Sequence, residues 1–156
     1  MKKLFYLFLL LPFSLLMSCN DDKDFSPVDM TLTLSGVTQV NDNFYTVAGE
    51  VVTIDNLTVK AIDGKDTGLA NVMFTLNGLP ILPSPGEAGM ASFSTENLTP
   101  GTYAIEATGN LLQVDSSVKV FGVAYSLTVV ENAEDLPQGA PELGTYSQTF
   151  RSENAN

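Results

Sequence analysis

The chain has no histidine, no tryptophan and a single cysteine among its 156 residues. Each absence closes off chemistry. Without imidazole there is no ordinary neutral-pH general base, so Ser-His-Asp and Cys-His nucleophile systems are excluded. Zinc sites built from Cys and His are excluded with them. One cysteine cannot form an intramolecular disulfide, although an exported compartment permits them. Without tryptophan, a sugar-stacking surface has to use Tyr or Phe. Basic residues are scarce as well: 7 Lys and Arg stand against 18 Asp and Glu, for a formal charge of -11. Such a surface repels nucleic-acid phosphates, and no nucleic-acid partner is expected. It is also a poor electrostatic partner for anionic lipid headgroups, so a lipid, not the domain surface, is expected to hold the protein to a membrane. No Gly-rich phosphate loop with a Lys-Ser/Thr ending occurs, and no cofactor is expected.

What is present begins with an address. Lys2 and Lys3 precede an almost wholly apolar run, Leu4 to Leu16, interrupted by Pro12 and Ser14. The run is too short to cross a hydrocarbon layer of about 30 Å as a standard transmembrane helix. It fits the h-region of a secretory signal. Leu16-Met17-Ser18-Cys19 follows, with the only cysteine in last place.

This segment resembles a bacterial lipoprotein signal with its lipobox. The resemblance implies that residues 1–18 are a signal peptide, cut between Ser18 and Cys19. It further implies a diacylglyceryl thioether on Cys19 and a fatty acyl group such as palmitate on the new amino terminus. A cysteine suits this role because its thiolate is the nucleophile. Two or more chains, at roughly 0.8 kcal/mol per buried CH2, make a stable anchor where one chain is marginal. An ordinary secretory signal with an incidental cysteine, or an uncleaved anchor, is the alternative.

Asn20-Asp21-Asp22-Lys23-Asp24 comes next. It resembles the acidic export signal of surface lipoproteins in Bacteroidetes-type bacteria. That resemblance implies an outer-membrane lipoprotein exposed on the cell surface, with a periplasm-facing tether as the alternative. Residues 19–28, polar and closed by Pro27, are expected to be a flexible acidic tether.

From Met30 onward the pattern is β. Leu32 and Leu34 alternate with Thr31, Thr33 and Ser35, as in a half-buried strand. Asp42-Asn43 suggests a turn, and Phe44 to Val47 a short strand. In Glu50 to Ile62 the apolar phase slips near Asp55-Asn56, which predicts a bulge or a bend between two strands. Asn71 to Asn77 reads as a strand with Val72, Phe74 and Leu76 inward. Gly78 to Gly89 holds Pro80, Pro83 and Pro85, so it is not a central strand. Within Val118 to Val130, Phe121, Val123, Tyr125, Leu127 and Val129 share a phase, and Phe121-Gly122 suggests a bend.

Gly89-Met90-Ala91-Ser92-Phe93, then Leu98, Pro100, Gly101, Tyr103 and Gly109, resemble the strand and turn of bacterial Ig-like or transthyretin-like modules. The resemblance implies an all-β, Ig-like β-sandwich of seven or eight mainly antiparallel strands over residues 29–130. Tyr103 is expected to bury its ring and give its hydroxyl to nearby backbone, as a tyrosine corner does. Residues 131–156 form an acidic C-terminal segment, with a candidate edge strand at 145–150.

Sites are sparse. Phe44, Tyr45 and Tyr125 are the candidate ligand contacts, by stacking. Asp63 and Asp66 come nearest to a calcium site, but the EF-hand spacing is missing, and turn residues are the default. No metal is expected. Glu106 is expected to face solvent, no carboxylate pair stands out for glycosidase-like catalysis, and an enzyme is not expected. The expected function is a lipid-anchored cell-surface accessory or binding module, contacting a glycan or an outer-membrane protein. The alternatives are a structural envelope or assembly component and, after it, an inhibitor or an enzyme.

Overall fold

Alternation of apolar and polar residues builds the long strands. The computed structural model describes residues 25–83, 89–114 and 118–152. Nine strands form within them: β1 (Val28–Val40), β2 (Asn43–Val47), β3 (Val51–Ala61), β4 (Thr67–Leu76), β5 (Leu79–Pro80), β6 (Ala91–Ser94), β7 (Gly101–Gln113), β8 (Lys119–Val130) and β9 (Gly144–Ser152). The architecture is all-β, with one 3-10 turn at Ala133–Asp135. The strands join in one curled, mixed sheet, ordered β5-β4-β7-β8-β2-β1-β3-β6, with β9 also on β1. Every pairing is antiparallel except that of β2 with β8, which is parallel.

Strand β1 is the hub. Its first part, Val28 to Ser35, lies between β3 and β9. Its last part, Thr38 to Val40, pairs with β2 instead. The change happens at Gly36, whose φ is +79°. A Cβ there would sit 2.1 Å from the Val51 carbonyl oxygen, so only glycine lets β1 pass this close to β3. Val28, Met30, Leu32 and Leu34 of β1 are fully buried, facing Ile105 of β7 and Leu127 and Val129 of β8 across the core. Full burial of such side chains contributes roughly 1.5–3 kcal/mol each. The buried threonines are all bonded: Thr38 Oγ1 donates to Pro141 O (2.8 Å), Thr46 Oγ1 to Gly36 O (2.8 Å) and Thr95 Oγ1 to Glu50 O (2.8 Å).

The phase slip in β3 is a bulge. Thr33 faces Asn56 and Leu34 faces Ile54, leaving Asp55 between them. Tyr103 donates its hydroxyl to Thr99 O at 2.7 Å, and Ile81 is buried while Leu82 is 75% exposed. Two expectations need correction. β8 does not bend at Phe121-Gly122; it pairs with β7 without a break from Gly101–Val129 to Leu111–Lys119. Close approach falls to Gly109 of β7 instead, where a Cβ would lie 2.9 Å from the Phe121 ring. Residues 25–28 of the expected tether belong to the fold. Phe25 packs on the core, Ser26 N donates to Gln113 Oε1 (3.0 Å), Gln113 Nε2 donates to Ser26 O (3.1 Å), and Val28 is fully buried. The expected edge strand at 145–150 is present as β9, which pairs with β1 from Gly144 to Ser152.

Candidate functional site

Two of the three candidate stacking residues are inside the protein. Phe44 is fully buried, because β2 turns Phe44 and Thr46 to the core. Tyr125 is 2% exposed, and its hydroxyl donates to Met30 O at 3.0 Å. Desolvation pushes the Tyr125 phenol well above the usual tyrosine range. Neither side chain can stack on a ligand. Tyr45, on the opposite face of β2, is half-buried and keeps an accessible part. Cys19 and the Asn20, Asp21, Asp22, Lys23, Asp24 segment lie outside the described residues.

Asp63 is committed to its own turn. Its carboxylate accepts from Ser26 Oγ and from the Lys65 backbone N–H (3.1 Å), and Lys65 Nζ stands 3.3 Å away. These bonds, led by the Ser26 hydroxyl, hold the carboxyl below its ordinary value. Asp66 contributes its backbone carbonyl to Val114 N–H at 3.3 Å. Among the described residues no three Cys, Asp or Glu side chains gather as a metal site would require. The two aspartates thus act as turn residues here.

The outer face formed by β9, β1 and β3 carries an arrangement that the sequence reading missed. Thr31 Oγ1 meets Thr149 Oγ1 at 2.8 Å, Thr33 Oγ1 meets Ser147 Oγ at 2.8 Å, and Ser35 Oγ meets Thr145 Oγ1 at 2.7 Å. Ser35 Oγ also reaches Asp55 Oδ2, at 2.5 Å. At one end of this ladder Arg151 grips Asp29 with two bonds, Nε to Oδ1 (2.8 Å) and Nη2 to Oδ2 (3.0 Å). The guanidinium hydrogen bond lowers the Asp29 carboxyl from its ordinary value. No protein-family model matches the chain, and the curated proteins contain no match to it.

The hydroxyl ladder offers hydrogen-bond donors and acceptors: its hydroxyls bond to one another across β1 and β9, and Ser35 also donates to the Asp55 carboxylate. It is a hydrogen-bonding surface, held in register by the pairing of β1 with β9. The signal for it was present in the sequence as Thr31-x-Thr33-x-Ser35 and Thr145-x-Ser147-x-Thr149. What the sequence did not say is that these two stretches, more than a hundred residues apart, are neighbours. Glu106 is less open than expected: it is half-buried and accepts from Thr75 Oγ1 at 2.7 Å.

Proposed function

We propose that this chain is a bacterial lipoprotein whose Ig-like β-sandwich is held by acyl groups on Cys19 at the outer face of the outer membrane, where it serves as an accessory module for a protein partner. The observation that carries the reading is the order of the leader: two lysines, the apolar run Leu4 to Leu16, then Leu16-Met17-Ser18-Cys19 with the chain's only cysteine. The acidic stretch after Cys19 supports the outer face. An Ig-like arrangement is supported by the pairing of β1 with β3 and of β3 with β6, and by the neighbours β4, β7 and β8. These match the A-B-E and C-F-G strand sets of that fold. The Tyr103 hydroxyl on the Thr99 carbonyl, near the start of β7, matches its tyrosine corner. A protein partner is favoured over a glycan because Phe44 and Tyr125, two of three stacking candidates, are core residues. The accessible outer face of β9 and β1 presents hydroxyls instead.

The test is mass spectrometry of the protein purified from its native envelope, paired with protease treatment of intact cells. The expected result is an N-terminal S-diacylglyceryl cysteine at position 19 and digestion of the domain without breaking the cells. An unmodified Cys19 still joined to Ser18 refutes the anchor. A lipidated protein that resists protease until the outer membrane is opened refutes the surface address. Crosslinking on living cells then reads the partner, expected as one stoichiometric outer-membrane protein.

A further inference from the structure

Charge is not spread evenly over this acidic domain. All four Lys and Arg of the described residues, Lys60, Lys65, Lys119 and Arg151, sit at one end of the sheet. That end is defined by pairings and bonds: Val28 faces Ala61 and Ser152, Thr67 faces Gln113, Leu111 faces Lys119, and Ala61 N–H donates to Thr67 Oγ1 at 3.2 Å. Its described acids are Asp29, Asp63 and Asp66; the first is held by Arg151 and the second lies against Lys65. Glu50, Glu96, Glu131, Glu134, Asp135 and Glu142 lie in the connections toward the opposite end, where no Lys or Arg is found among the described residues. Among the described residues, the four basic side chains and six of the acidic ones therefore lie at opposite ends of the sheet.

The basic end also carries exposed aliphatic side chains. The β7–β8 hairpin turns Leu111, Gln113 and Phe121 inward. Leu112 (39% exposed), Val114 (55%), Val118 (61%) and Val120 (76%) alternate with them on the outer side. Ile62, 51% exposed, is at the same end, with its N–H bonded to Pro27 O at 3.0 Å. Single exposed aliphatics are ordinary, whereas a contiguous group marks an interaction surface.

The chain enters at this same end. Phe25 packs here under the Lys119 ammonium, which stands 5.7 Å from its ring centroid. Cys19 is six residues earlier, and a fully extended chain spans at most about 3.6 Å per residue, so the two lie within roughly 22 Å of each other.

We infer that this end of the domain seats on the bilayer that carries the anchor: the aliphatic outer side of the β7–β8 hairpin enters the headgroup layer, and the acidic end points to solvent. The inference rests on the lipid attachment proposed above. Exposed aliphatic side chains at the end where the tether enters are what an interfacial surface requires. The negative far end is repelled by an anionic membrane, so the charge asymmetry orients the domain in the same sense as the tether.

The experiment uses the full protein purified from its native envelope and reconstituted into phosphatidylcholine–phosphatidylglycerol vesicles. Val118→Cys and Glu134→Cys variants each carry a thiol-linked fluorophore, and nitroxide-labelled lipid is the quencher. Both sites are exposed, so the fold tolerates the labels. Seating predicts quenching several-fold stronger at position 118 than at 134. Equal quenching at the two positions in a lipidated protein overturns the seating and leaves the anchor intact. A probe at 118 shielded from water yet untouched by the lipid quencher overturns it too, and points to a second copy or a protein partner at this end. The intact mass of the same preparation reads the acyl groups; their absence overturns both the anchor and the seating.

Discussion

The Tyr125 hydroxyl crosses the core to the Met30 carbonyl, 3.0 Å away, tying β8 to β1 from the inside. Tyr125→Phe keeps the ring and removes the donor, leaving that buried carbonyl without this bond. The expected cost is about 1–3 kcal/mol, read as a lower urea midpoint with an unchanged slope.

The same phenol sets an alkaline limit. Its proton is held more tightly in the folded chain than in the unfolded one, where tyrosine titrates near pH 10. Below about pH 10 both states are neutral and stability is unaffected. Above it the unfolded chain releases the proton while the folded chain keeps it, so stability falls by up to about 1.4 kcal/mol per pH unit. Absorbance at alkaline pH should show one tyrosine ionising only with unfolding, and Tyr125→Phe should remove that slope.

Gly36 and Gly64 both have positive φ, +79° and +78°, but only Gly36 faces backbone at close range. Gly64→Ala is expected to cost about 1–2 kcal/mol, the left-handed penalty alone. Gly36→Ala must also displace Val51, and should cost clearly more, or block folding. Thermal melts of the two variants side by side test the difference.

Arg151 holds Asp29 below its ordinary carboxylate value. Arg151→Gln should return Asp29 to the usual range, read by carboxyl-carbon NMR titration. The stabilisation from this pair is present above the unfolded carboxylate value of about 3.9 and is lost as pH falls through the lowered one. The variant should therefore lose some of its acid dependence between those two points.

Phe44 and Tyr45 are adjacent with opposite fates. Phe44→Ala opens the core and should cost about 3–5 kcal/mol. Tyr45→Ala, from a half-buried outer position, should cost much less. A partner-binding assay that responds to Tyr45→Ala without a shift in melting temperature would place Tyr45 in the contact surface.

Much of the fold could be read locally. The bulge at Asp55, the inward set of β8 and the Tyr103 bond to Thr99 follow from phase and turn chemistry, which need only neighbouring residues. The core role of Tyr125 was legible too, since it shares a phase with Val123 and Leu127. Phe44 was not, because a five-residue strand with apolar residues in both phases does not say which face turns inward. The partner of β9 was not legible for a related reason. Gly144 to Ser152 has few apolar residues, and its strand is made by backbone pairing and hydroxyl bonds to a distant partner.

Sequence alone determined the β character, the absence of imidazole chemistry and the apolar run that precedes Cys19, because these depend on composition and short-range order. Tertiary structure decided which hydroxyls form a ladder, which aromatics are spent in the core and where the charges gather. Net charge is a sum and carries no position. Only the crossing of the strands brings Lys60, Lys119 and Arg151 to the end where residue 25 enters, and leaves Glu50, Glu96, Glu131, Glu134 and Glu142 toward the other.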